Sequence, residues 1–212
     1  MNTSEAVALN ADVRAVYLTA EDLKIACSLL FQAYHDDPVF SHIFQSELEG
    51  YESRLRSAIR EELNTFWEAK QPIIGLYEEE RLLAVACLVS SDAAFGSGRF
   101  WHWRLKMLLT AGYFGTMQML EKEEKVREQV PAEHYHVLSF IGVLPDEQHH
   151  GLGHVLMSAI ESAMLEDELS EGVAVFATLE KYKHFFETGS YELVKAIEVG
   201  TIKGHLMFRP RT

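Results

Sequence analysis

Residues 142–157 read GVLPDEQHHGLGHVLM and gather side chains whose types and spacing could do chemistry. His150 and His154 are four apart, one face of a helix, with His149 adjacent; imidazoles so placed can ligate a metal. Gly151 and Gly153 open an apolar helix, where glycine costs about 1 kcal/mol against alanine. A dinucleotide fingerprint would need a third glycine where Leu156 stands, and it would open its domain rather than begin two-thirds along the chain. A nucleoside-triphosphate loop would need Gly-Lys-Ser/Thr, which is absent. A metal site would need further ligands from distant residues, since no acid or cysteine has an obvious place beside the histidines. A purely structural turn stays open. The reading that uses every residue is an anion cradle. The strand ends at Pro145, and the next helix begins with amides that lack intrahelical partners and favour negative charge. Glycines at 151 and 153 remove the side chains that would hold a phosphate off those amides.

These residues resemble the acyl-coenzyme A signature of the GCN5-related N-acetyltransferases (GNAT), (Gln/Arg)-x-x-Gly-x-(Gly/Ala) after a Val-x-Pro strand end. Gln148, Gly151 and Gly153 match it. The similarity runs along nearly the whole chain and looks closest to the branch containing puromycin N-acetyltransferase. The opening VRAVYLTAEDLKIACSLLFQAYHDDPVF, the segment ATLEKYKHFFETGSYELV and the closing GHLMFRP carry it. The resemblance implies an α/β fold: a mixed, largely antiparallel sheet, splayed at the acyl-CoA site and flanked by helices. Pantetheine would pair with backbone near Ile141 and Val143. The pyrophosphate would lie on the amides of His149, His150, Gly151, Leu152, Gly153 and His154, with Gln148 in the same cofactor-binding set. Acetyl-CoA would be the cosubstrate and a small-molecule amine the acceptor.

Family members often supply the leaving thiolate's proton from a tyrosine in a Phe-Tyr-Glu-Lys-Leu-Gly-Phe segment. Aligned to it, FFETGSY places Phe185 or Phe186 at that tyrosine. General acid help is worth roughly 10²–10⁴-fold, and a thiol of pKa about 8.5 leaves tolerably well without it. Tyr182 and Tyr191 are nearby substitutes. Glu180 matches the family's glutamate and is the expected base, with a backbone amide near Val143 polarising the carbonyl. Asp36 and Asp37 in HDDP could border the acceptor or merely end a helix, and Phe100, Trp101 and Trp103 could line its pocket. The alternative function is an acyl-CoA-binding protein of the same fold with little or no turnover. Histidine changes charge near neutral pH, so cofactor binding is expected to tighten as pH falls from about 8 to about 6.

The elements that must position these residues are legible in outline. VRAVYL has strand composition, and the stretch after it is a helix, with Thr19 and Asp22 as a variant capping box. Residues 51–70 form an acidic helix. IIGLY and RLLAVACLVS make a hairpin around Glu78–Glu80. A helical insertion over about 92–133 follows, helical from Arg99. YHVLSFIGV is a buried strand, GLGHVLMSAIESAML a helix with one apolar face, GVAVFATL a strand, and EKYKHFFETG a short helix. YELVKAIEV and GHLMFRP are two closing strands that could also pair across a homodimer.

The 212 residues fit one domain, and 48% hydrophobic content supports a real core. A net charge of −13, from 32 acidic against 19 basic side chains, leaves no basic cluster for nucleic acid. It could steer a cationic amine. No apolar run reaches membrane-spanning length. Cys27 and Cys87 form neither a metal spacing nor a disulfide framework, which suggests a reducing, cytoplasmic setting.

Overall fold

The computed structural model describes residues 13–93, 116–200 and 202–212. The chain runs β1 (Val13–Tyr17), α1 (Leu23–Tyr34), α2 (Pro38–Ile43), α3 (Tyr51–Glu68), β2 (Ile73–Glu78) and β3 (Arg81–Ser90). A helix over 116–129, α4, leads to β4 (His136–Val143). Then come a 3₁₀ turn (Pro145–Glu147), α5 (Leu152–Glu166), β5 (Gly172–Ala177), α6 (Glu180–Thr188), β6 (Glu192–Val199) and β7 (Ile202–Pro210). Of the expected insertion over about 92–133, residues 116–129 are helical. Residues 94–115, with Phe100, Trp101 and Trp103, lie outside the described residues.

Two local differences have clear causes. The first helix begins at Leu23, because the Asp22 carboxylate accepts from the N–H and hydroxyl of Thr19 and holds those residues in a turn before it. HDDP does not simply end that helix. Pro38 starts α2, with Asp37 as its N-cap accepting from the amides of Val39 and Phe40. Proline lacks the N–H that a first helical position would leave unpaired, and aspartate supplies the cap.

Seven strands form one sheet in the order β1-β2-β3-β4-β5-β7-β6. Every neighbouring pair is antiparallel except β4 and β5, which are parallel because α5 carries the chain across between them. Helices α1 and α3 pack on one face around Leu30, Leu55, Ile59 and Phe140. Helices α5 and α6 cover the other around Leu156, Ile160, Leu138 and Phe186. A third cluster seats Val126 and Val130, from α4 and the residues after it, against β6 and β7.

The pairing that matters for function is the shortest. β4 and β5 match only at His136↔Val173, Val137↔Ala174 and Leu138↔Val175, although β4 continues to Val143 and β5 to Ala177. β5 stays on β7 throughout, while β4 stays on β3. Cys87 pairs with Phe140 and Leu88 with Leu138, which leaves Ser139 as an extra residue in β4. Such a bulge bends the strand and increases its twist. The sheet therefore opens immediately beyond Leu138.

Candidate active site

The opening between β4 and β5 widens into a cavity of about 1670 Å³. Its lining runs from the turn before α5, along the open edge of β4, to α1, α3 and α6.

At one end stands the turn that the sequence singled out. After the 3₁₀ turn, Gln148 is extended, His149 has φ +66° and Gly151 has φ +81°. Two left-handed residues within three positions coil the chain tightly and turn successive amides inward, the geometry of an anion-binding nest. Gly151 tolerates that conformation; His149 adopts it despite its side chain. The first intrahelical bond is the His154 N–H to the Gly151 carbonyl, 3.0 Å. Among the described residues, the amides of His149 to Gly153 have no backbone acceptor. The turn is fastened by the Gln148 side-chain amide, which donates to the Val143 carbonyl at 3.3 Å, and by a 2.6 Å ion pair between Arg81 and Glu147.

The two glycines have different tasks. A Cβ at Gly153 would lie 2.9 Å from the Phe185 ring, so this glycine admits α6 against α5 rather than making room for a phosphate. Gly151 carries the turn. The histidines do not converge on a metal. His154 bonds the Thr188 hydroxyl at 3.2 Å, while His150 lies 3.7 Å from Glu147 and is largely exposed. Among the described residues no group of three or more His, Cys, Asp or Glu could hold a metal ion.

The expected catalytic residues separate. Tyr182 reaches the cavity, half-buried, with the Lys181 ammonium 4.9 Å from its ring centroid. Glu180 does not line it. Its carboxylate is exposed, 3.2 Å from the His205 imidazole and 3.6 Å from Lys183. Tyr191 is also absent from the lining. It is buried edge-on to Phe186 at 5.2 Å, and burial pushes its hydroxyl's pKa up. Phe185 and Phe186 both line the cavity. Leu152, counted among the cofactor residues, is mostly core.

Of the corner between α1 and α2, the sequence reading named Asp37 and missed Tyr34. The Tyr34 hydroxyl donates to the Ile141 carbonyl at 3.0 Å and accepts from the Ile141 N–H at 3.1 Å. Both backbone groups expected to meet pantetheine at Ile141 are thus already taken, while Val143 is the next edge residue along β4. Desolvation raises the Tyr34 pKa, so the phenol stays neutral. Asp37 is buried at the same corner. Burial raises its carboxyl above the usual range, against the opposing pull of the Phe40 and Val39 amides, the Lys181 charge and the nearby Thr178 hydroxyl. The signal for Asp37 was in the sequence, as an N-cap before proline; Tyr34 carried none beyond helical spacing.

No protein-family profile matches the chain, and neither does any curated protein. Solved structures do. One titled histone acetyltransferase HPA2 and related acetyltransferase, from Corynebacterium glutamicum, has a TM-score of 0.70 at 12% identity, over 95% of this chain and 97% of its own. An agmatine N-acetyltransferase scores 0.62 at 16% identity, over 93% and 98%. The PaiA N-acetyltransferase of Thermoplasma acidophilum, in complex with coenzyme A, scores 0.57 at 12%, also over 93% and 98%. The fold is that of the GNAT acetyltransferases. At these identities the likeness extends to the GNAT architecture, and the sheet opening lies where the sequence placed it.

Proposed function

We propose that the chain is a GNAT-superfamily N-acyltransferase that moves an acetyl group from acetyl-CoA to the amine of a small molecule. The observation that carries this reading is the sheet opening beyond Leu138↔Val175, with the Val143 N–H left on the open edge of β4 near a nest of free amides at the start of α5. A ligand with an extended amide-bearing arm and a pyrophosphate suits both features: the arm meets the edge at Val143, and the anion sits on the amides. Acetyl-CoA would supply the activated thioester. The chain's own part is to hold and orient it, with the Val143 N–H as the donor nearest the opening and an oxyanion-stabilising role. Tyr182 is the proton donor we assign, being the expected catalytic group that lines the cavity. With Glu180 turned toward His205, the amine loses its proton to water or arrives neutral. The small-amine acceptor and the puromycin N-acetyltransferase-like branch rest on the sequence pattern.

Calorimetric titration of acetyl-CoA into wild type, Gly151→Glu and His150→Glu tests this. Gly151→Glu adds a carboxylate and a left-handed side chain, the strain alone costing about 1–3 kcal/mol. Binding should fall by at least about 100-fold, from strain and charge together. His150→Glu, at an exposed position that perturbs folding little, should weaken binding in the same direction. Absence of binding to folded wild type overturns the reading.

A second reading, an acyl-CoA-binding protein with little turnover, is favoured by Glu180 facing away and by phenylalanine at 185 and 186. Steady release of free coenzyme A on adding amines supports transfer. Saturable binding without release across an amine panel supports the second reading.

A further inference from the structure

The α1–α2 corner takes part in opening the sheet. In a strand, one residue's N–H and C=O point to the same side, and successive residues alternate. The Leu144 N–H bonds the Leu83 carbonyl on β3, 2.9 Å, so Ile141 and Val143 point the other way, toward β5. These are the groups that would extend the β4–β5 ladder past Leu138↔Val175. At Ile141 the Tyr34 hydroxyl holds both of them. Its ring is fixed by Phe40 and Phe140, with centroids 4.9 and 5.6 Å away. Three residues on, Asp37 lines the same opening, as does Thr178, the residue just after β5. The corner thus stands where the two strands part.

We propose that Tyr34 is a positioning residue that wedges the sheet open: its hydroxyl takes the edge groups of Ile141, holds β5 off β4, and leaves Val143 as the edge donor facing a bound cofactor. The Ser139 bulge starts the divergence and the wedge keeps it. The statement about Val143 rests on the acyl-CoA reading above; the wedge does not.

Residue-resolved amide exchange by NMR tests the wedge without any ligand. In wild type the Ile141 amide should be protected although no strand covers it. Tyr34→Phe keeps the ring packing and removes the hydroxyl. It should speed Ile141 exchange by about tenfold or more, the worth of one buried hydrogen bond, while Gly142, which faces β3, changes little. The variant should also weaken acetyl-CoA binding by about tenfold. On adding acetyl-CoA to wild type, the Val143 amide resonance should move more than that of Ile141. A loss of packing alone would raise exchange across α1 and β4 together, and that outcome overturns the proposal. An Ile141 amide in wild type that exchanges as fast as an open edge overturns it whether or not the variant folds. So does unchanged acetyl-CoA affinity in a variant whose Ile141 amide has become exposed. If wild type binds no acetyl-CoA, the transferase reading falls, and exchange at Ile141 alone decides the wedge.

Discussion

The two ends of β4 meet the same neighbour, β5, under opposite conditions. At the His136 end the strands are zipped, and polar ties secure the loops that bring them together. The His136 imidazole bonds the Ser170 hydroxyl at 2.9 Å, and the Glu171 carboxylate accepts from the amides of Glu133 and His134, both at 2.9 Å. At the Val143 end the Ser139 bulge bends the strand away, and the Tyr34 phenol holds the Ile141 edge groups where pairing would continue. The apolar content of the strand does not explain the difference, since Val137 and Leu138 at one end are matched by Ile141 and Val143 at the other. What decides is which group reaches the edge first. A backbone partner closes the sheet, and a side chain from α1 keeps it open.

That contrast can be broken from either side. The largest effect is expected from Asp37→Ala, which removes a buried cap that accepts two amides at the corner. Loss of such a cap costs about 1–2 kcal/mol, or roughly 4 °C in melting temperature for a chain of this size. Calorimetry should show that drop together with weaker acetyl-CoA binding, whereas a change at the zipped end should lower stability alone. Gly153→Ala comes next. Its Cβ would press on Phe185 at 2.9 Å, and the overpacking should outweigh alanine's helical advantage by about 1 kcal/mol. Chemical denaturation should show the loss shrinking when Phe185→Leu is added.

The zipped end offers a pH test. Burial holds His136 below histidine's ordinary range, with Asp167, 3.7 Å away, pulling the other way. The folded state therefore takes the proton less readily than the unfolded one. The contribution is fully present above about pH 6.5 and is lost as pH falls through the lower folded value. Urea unfolding of wild type should lose stability from about pH 7 to about pH 5 more steeply than His136→Gln. The smallest effect belongs to the open end, where His150→Gln, at an exposed position of the turn, should weaken acetyl-CoA binding only a few-fold. Calorimetric titration of the variant checks it, and unchanged affinity removes this imidazole from phosphate binding.

The zipped strands, the hairpin and the turn before α5 were all legible, because alternation, glycine and proline speak locally. The corner was not. Tyr34 falls on helical spacing like any core residue, and nothing near it announces that its hydroxyl crosses to a strand 107 residues away. Glu180 was expected to face the amine because it matches the family's glutamate at the mouth of a strand, but the direction in which a first helical residue points depends on the neighbouring β7, where His205 draws it. Tyr191 looked available because it lies close in sequence to the site; packing against Phe186 buries it instead. Gly153 was read as leaving room for a phosphate, whereas the group it admits is the Phe185 ring.

The extra residue at Ser139 acts on β4 as a frameshift acts on a reading frame of two. Leu138 and Phe140 are two apart and would ordinarily share a face. Instead Leu138 belongs to the cluster under α5, and Phe140 to the one under α1 and α3. Deleting Ser139 would straighten the strand yet leave every residue from Phe140 to Val143 at its present address, because these residues already pair in step with Cys87 to Ala84 once Ser139 is passed over. What the deletion would remove is the bend that parts β4 from β5. The opening is thus written into the strand's spelling as one surplus letter.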